Sequence, residues 1–181
     1  SAAFWSETQG SGNGRPIRAR YGRPVLTRRL ASDLLARCSS GEPPVHLVAP
    51  LGFGDPYIVT TIGYGPDPNA KYTSTWFRTT FDVASAAAVT TAKIELNVDD
   101  GALVFLNGAE WVRWNLPNGA ITPSTFAPSI IEAGQENQFI AFDVDPSLLK
   151  DGKNVLAIEV HQALLTSTDL GIDARVTLDL N

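Results

Sequence analysis

The C-terminal segment "LGIDARVTLDL" constrains the fold most. Leu170, Ile172, Ala174, Val176, Leu178 and Leu180 take every second position, and Asp173, Arg175, Thr177 and Asp179 fill the places between. A period of two puts the apolar set on one face of a β-strand and the polar set on a face that meets water. The same period recurs in "TWFRTTFDV" (Phe77, Phe81, Val83, interrupted at Thr79), in "AKIELNV" (Ile94, Leu96, Val98) and in "VLAIEV" (Leu156, Ile158, Val160). "ALVFLN" and "NQFIAFDV" are apolar on both faces, which predicts strands inside a packed sheet. Many short strands broken by Gly, Pro and Asn, with no alternating helices, predict an all-β sandwich of two sheets packed face to face.

The pattern differs ahead of residue 43. "SAAFWSETQGSGNGRPIRARYGR" is polar and glycine-rich without a lasting period, and reads as an extended arm. In "RPVLTRRLASDLLARCSSG" Leu26, Leu30 and Leu34 recur every four residues, Pro24 suits a first helical turn and Gly41 lies past the end, which predicts one amphipathic helix. The expected division is a basic arm with a helix over 1–42 and a sandwich over 43–181. Phe4 and Trp5, with the leucine row, either anchor a partner protein or tuck onto the sandwich. Further on, "DPSLLKDGKN" predicts a single helical turn capped by Asp145, with Pro146 first and Gly152 closing it.

Charge follows the same division. Residues 1–50 hold seven of the fourteen basic residues and three of the nineteen acidic ones, a net +4 against −9 for residues 51–181. The arginines are scattered among Gly, Pro and apolar residues, so nucleic acid is not an expected partner; an acidic protein or the chain's own body suits the arm better. No apolar run approaches the roughly 20 residues of a membrane span, and no charged-then-apolar leader is present. The chain starts at Ser1 and contains no methionine, consistent with a processed product or an excised module. Cys38 is the only cysteine, which excludes an internal disulfide and a multi-cysteine metal site, and it reads as a partly buried apolar residue. Glu159 and His161 share a strand face, but no nucleophile motif accompanies them, so catalysis is not expected.

Three stretches, "GFGDPYIVTTIGYGPDPNAKYTSTWFRTTFDV", "VDDGALVFLNGAEWVRWNLPNGAITPSTFA" and "DPSLLKDGKNVLAIEVHQALLTSTDLGIDARVTLDL", carry an aromatic-Phe-Arg strand, a D-D-G turn, a V-x-L-N-G hairpin end, an N-x-P-x-G loop and an N-V-x-A-x-E-V-H-Q strand in that order. The chain thereby resembles the galactose-binding-like jelly-roll modules of multidomain bacterial secreted and surface proteins over residues 51–181. The resemblance implies a jelly roll in an extracellular, cell-surface or periplasmic setting. It carries sugar binding, adhesion and inert spacing alike. Residues 1–50 depart from it.

Candidate sites lie on the loops. Asp100 before Gly101 is a turn signal, while Asp99 and Asp100 also offer hard oxygens. Adhesins with a similar D-D-G turn, to which the resemblance points, use such aspartates to hold a calcium ion that binds sugar hydroxyls. "GYGPDPNAK" offers Asp67 and Asn69, with Asp55 nearby in sequence, as either a turn or a second calcium loop. Calcium is thus the candidate cofactor, with Asp55, Asp67, Asn69 and Asp99 as metal ligands drawn from more than one loop, because the ion takes about 6–8 oxygens. "EWVRWN" places Trp111 and Arg113 on one strand face and Trp114 with Val112 on the other, so one tryptophan is expected outside; with Asn115 and Asp100 these residues are the candidate glycan contacts. Trp76, opposite the Phe77 face, is expected to be partly exposed. Two roles follow: non-catalytic glycan recognition on a loop rim, or a structural subunit fixed to a larger assembly by its arm.

Overall fold

A computed structural model of the chain describes residues 25–29, 34–37 and 45–47 as backbone, and residues 49–132 and 134–181 with their side chains. Among the described residues twelve strands run in chain order: β1 (Val25–Arg29), β2 (Leu34–Arg37), β3 (Val45–Leu47), β4 (Leu51–Phe53), β5 (Thr60–Thr61), β6 (Ser74–Val83), β7 (Val89–Asp99), β8 (Gly101–Leu106), β9 (Ala109–Trp114), β10 (Ile140–Val144), β11 (Gly152–His161) and β12 (Leu170–Leu180). They form two six-stranded sheets. The first runs β10-β7-β12-β4-β5, with β1 also on β12; the second runs β3-β2-β6-β11-β8-β9. The architecture is the all-β sandwich that the period of two predicts.

The strongly alternating segments form the centre of each sheet. β12 pairs antiparallel with β7 along one edge, and its other edge is shared by β4 at Leu170–Ile172 and by β1 at Arg175–Asp179. In the second sheet β11 lies between β6 and β8. The inward set of the first sheet (Ile94, Leu96, Ile172, Ala174) meets that of the second (Phe77, Val104, Leu156, Ile158), and all eight are fully buried. At about 25 cal/mol per Å2 of apolar surface removed from water, this double layer is the main source of stability. Thr79 breaks the alternation in polarity only: it faces the core with Phe77 and Phe81, and its hydroxyl has no partner.

Two expectations are corrected. The chain over 25–29 and 34–37 is β-strand, so the predicted helix is absent there; Leu26 and Leu34 lie in β1 and β2, and Leu30 falls outside the described residues. An interval of four residues is also a multiple of two, so the leucine row satisfies either period, and the open edges of β12 and β6 supply backbone partners that settle the choice. Among the described residues helical structure is confined to two short 3-10 turns. Ala86–Ala88 is one; Pro146–Leu148 is the predicted turn, with the Asp145 carboxylate accepting from the Ser147 N–H at 2.8 Å. β10, apolar on both faces in sequence, is an edge strand rather than an interior one, whereas β8 lies between β11 and β9 as expected. Phe4, Trp5 and Cys38 lie outside the described residues.

Candidate functional site: an acidic corner

Asp99 ends β7 in the first sheet and Gly101 begins β8 in the second, so the D-D-G motif is a corner between sheets and not a hairpin. A cis peptide joins Asp99 to Asp100. Gly101 does not serve a left-handed turn: a Cβ at this position would sit 2.6 Å from the Asn115 carbonyl and 3.1 Å from Ala127 Cβ, so glycine is needed for close approach.

The two adjacent carboxylates have separate tasks. Asp100 is 3% exposed; its Oδ1 accepts from the Ile131 N–H and its Oδ2 from the Ala163 N–H, both at 2.7 Å. It clamps the β9–β10 and β11–β12 loops to the corner. Charged hydrogen bonds of this kind contribute roughly 1.5–3 kcal/mol each. Asp99, 2% exposed, has an Oδ2 with no partner at all.

Antiparallel order explains what surrounds Asp99. β7 ends where β12 begins, and β4 ends at the same rim, since Gly171 pairs with Asp99 on one side and with Gly52 on the other. Asp169, immediately before β12, and Asp55, just beyond β4, therefore converge on Asp99. Carboxylate oxygens of Asp55, Asp99 and Asp169 all lie within 4.8 Å of one another. Gly54, with φ near 92°, brings the β4–β5 loop in; a Cβ there would stand 2.4 Å from the Thr168 carbonyl. Ser167 Oγ donates to Asp169 Oδ1 at 2.7 Å and orients that carboxylate. The group opens into a cleft of about 360 Å3 flanked by Glu136 and by exposed Ile130 and Leu164.

The electrostatics follow from this convergence. Burial pushes the Asp99 carboxyl up to about 9, with contributions from its hydrogen bond to Asp100 and from the charges of Asp100, Asp169 and Glu136. Burial also raises Asp55; the Asp169 charge adds to the rise and the nearby Tyr57 hydroxyl opposes it. Glu136 rises for the same first reason, aided by Asp55 and Asp169. No lysine or arginine among the described residues pairs with Asp55, Asp99 or Asp169. The donors are all hard oxygens, without the nitrogen or sulfur that zinc or copper prefers. Ligands at roughly 2.4 Å from one ion stand at most about 4.8 Å apart. Asp55, Asp99 and Asp169 therefore form a group of hard oxygen donors spaced closely enough to hold one metal ion.

The sequence-predicted residues are sorted by this geometry. Asp55 and Asp99 come together, but Asp67 and Asn69 do not join them: Asp67 Oδ1 accepts from the Asn69 N–H at 2.8 Å in a separate exposed turn. Asp169 was not a candidate, although the Ser-Thr-Asp run before a strand marks a polar turn at a strand start.

The "EWVRWN" segment is also rearranged. Pairing shifts between Val104 and Phe105, so that Val104 opposes Val112 while Phe105 opposes Glu110, and Trp111 is left unpaired in a bulge. The extra residue cancels the alternation, and Trp111 and Trp114 both pack against the core where β9 meets β10. Trp111 Nε1 donates to the Asp145 carbonyl at 3.2 Å, and Trp114 meets Phe142 edge to face at 5.8 Å. Neither is the outward platform expected of one of them. Arg113 forms a bidentate pair with Glu110 at 2.9 Å and donates to the carbonyls of Pro117 and Gly119; Asn115 donates to those of Asp100 and Ser129. Both hold the loop after β9. Glu159, His161 and Gln162 are buried, with His161 Nδ1 2.7 Å from the Thr125 carbonyl.

No family model matches the chain, and no curated protein matches it in sequence. Solved structures do match in fold. A β-glucuronidase from Ruminococcus gnavus superposes with a TM-score of 0.51 at 13% identity over 91% of this chain and 29% of its own. β-Glucuronidase 2 from Bacteroides uniformis gives 0.53 at 14% identity, over 86% of this chain and 18% of its own. The chain spans less than a third of the length of either, and at these identities the likeness defines the β-sandwich fold. The neighbours are glycosidases.

Proposed function

We propose that the chain is a non-catalytic carbohydrate-binding module whose acidic corner holds a calcium ion. The observation that carries this reading is Asp99: a carboxylate oxygen buried without a partner, within 4.8 Å of two further carboxylates and, among the described residues, without a cation to balance them. Bound calcium supplies charge balance and open coordination positions for vicinal sugar hydroxyls, while Ile130 and Leu164 offer apolar contact beside it. The fragmentary likeness to glycosidases supports an accessory role to carbohydrate-active proteins, and an extracellular or periplasmic setting suits millimolar-range calcium. Among the described residues no helix is long and apolar enough to cross a membrane.

The test is calorimetric titration with calcium, followed by a glycan array in calcium and in chelator. Binding of one ion, lost in Asp99→Asn and Asp169→Asn but kept in Asp67→Asn, is the expected result, with glycan signals that vanish in chelator. Absence of calcium binding at millimolar concentration overturns the metal site; calcium binding with an empty array, and arm-dependent capture of a protein instead, overturns the glycan reading in favour of an assembly subunit.

A further inference from the structure

A different region of the molecule carries a second inference. Along β6 the outward residues include Trp76 and Arg78; along β11, Lys153, Val155 and Ala157; along β8, Phe105. Ala157 lies between Arg78 on one neighbour and Phe105 on the other. Trp76, opposite Glu159 in register, reaches diagonally across β11 to Phe105 on the other flank, and the two rings stack with centroids 5.7 Å apart and planes 23° from parallel. Trp76 remains 39% exposed. Next to the stacked pair is a cleft of about 600 Å3, walled by Arg78, Lys150 and Lys153 and closed at one end by the Asn107–Gly108 turn.

The cations are the second element. Residues 51–181 have seven basic side chains against sixteen acidic ones, yet three of the seven line this one cleft. Among the described residues none of the three forms an ion pair, whereas Arg113 and Arg175 are paired with Glu110 and Glu95. Asp82, opposite Lys153 in register, is the carboxylate nearest along the strand pair and does not pair with it. Cations gathered without an ion-pair partner among the described residues repel one another, and an anionic ligand relieves that repulsion. An indole held flat by a stacked phenyl is a rigid surface for the C–H face of a sugar ring, with little ordering entropy left to lose.

We propose that this cleft is a binding site, separate from the acidic corner, for an acidic oligosaccharide, with Trp76 stacking one sugar ring and Arg78, Lys150 and Lys153 receiving its carboxylate or sulfate groups. The choice of a saccharide rests on the carbohydrate-binding reading above; the choice of an anion rests on the cleft alone. A single-stranded polynucleotide also joins bases to aromatics and phosphates to cations. Its dense phosphate chain would run beyond three cations onto a body of net charge −9.

The experiment is calorimetry on the full chain in chelator, with a galacturonic acid hexamer, a heparin-derived hexasaccharide, a neutral cellulose hexamer and a six-nucleotide DNA strand. The expected result is binding of the carboxylated or the sulfated oligosaccharide, the tighter of the two naming the source of the anion, and weakening by added salt. Trp76→Ala and the double variant Lys150→Gln with Lys153→Gln should each weaken binding about tenfold or more, and Asp67→Asn, in a separate exposed turn, should leave it unchanged. Equal binding of the neutral hexamer, tighter binding of DNA, no binding of either acidic sugar, or indifference to both sets of substitutions overturns the proposal. Because chelator silences the corner, loss of calcium-dependent glycan signals with acidic-sugar binding retained sinks the earlier reading alone.

Discussion

The acidic corner and the basic face of the second sheet differ in how their charges are held. At the corner, carboxylates are buried, converge from three strand ends and have two loops clamped beside them by Asp100. On the face, the cations are exposed on flexible stems around a fixed pair of rings. Burial makes charge expensive and couples it to folding, while exposure leaves charge cheap and couples it only to ligand. Ligand binding at the corner should therefore register as stability, and binding at the face should not.

Calcium is the strongest way to sharpen that contrast. At about a thousand times its dissociation constant an ion adds about 4 kcal/mol, which for a domain of this size raises the melting midpoint by roughly 8–16 °C. Differential scanning calorimetry reads it directly, and Asp99→Asn or Asp169→Asn should remove most of the shift. Without calcium a pH dependence accompanies it. The folded-state Asp99 carboxyl lies at about 9, above its unfolded value of roughly 3.9. Its contribution is thus fully present below about pH 4 and is lost as pH rises through about 9. Urea unfolding in chelator should show wild-type stability falling across that window relative to Asp99→Asn, with calcium affinity rising over the same range as the proton it displaces is given up.

Asp100 breaks the corner differently. Asp100→Ala strands the N–H groups of Ile131 and Ala163 and should cost roughly 3 kcal/mol, with Asp100→Asn costing less because one acceptor oxygen remains. Both losses should persist in calcium, since both Asp100 oxygens are taken up by loop N–H groups; recovery of Asp100→Ala by calcium in urea titrations would contradict this assignment.

What could be read before the coordinates follows the same physics. The alternation in β6, β7, β11 and β12 was legible because each strand has one face against the core, and burial imposes a period. The outward position of Trp76 came from that alternation. The corner was half legible: Asp55 and Asp99 were marked by their residue type, but Asp169 lies seventy residues beyond Asp99 and is brought there by strand pairing, which local pattern does not contain. Trp111 was turned by a single bulged residue that local pattern does not announce, and the leucines of β1 and β2 were misplaced by a spacing that two periods share. Trp114→Ala tests the bulge: a ring packed on Phe142 and the core should cost roughly 2 kcal/mol on removal, measured by urea unfolding, and Trp111→Ala should fall in the same range.

Trp76→Ala is the smallest expected effect on stability and the sharpest test of the comparison. The ring lies on the outer face of β6, against Phe105, and contributes nothing to the layer between the sheets. Backbone pairing of β6 with β11 does not depend on it. Surface substitutions of this kind stay within about 0.5 kcal/mol, so urea midpoints of Trp76→Ala and wild type should nearly coincide, with and without calcium. A large loss would mean that Trp76 holds the sheet together rather than waits for a ligand, and the two regions would then differ in charge only.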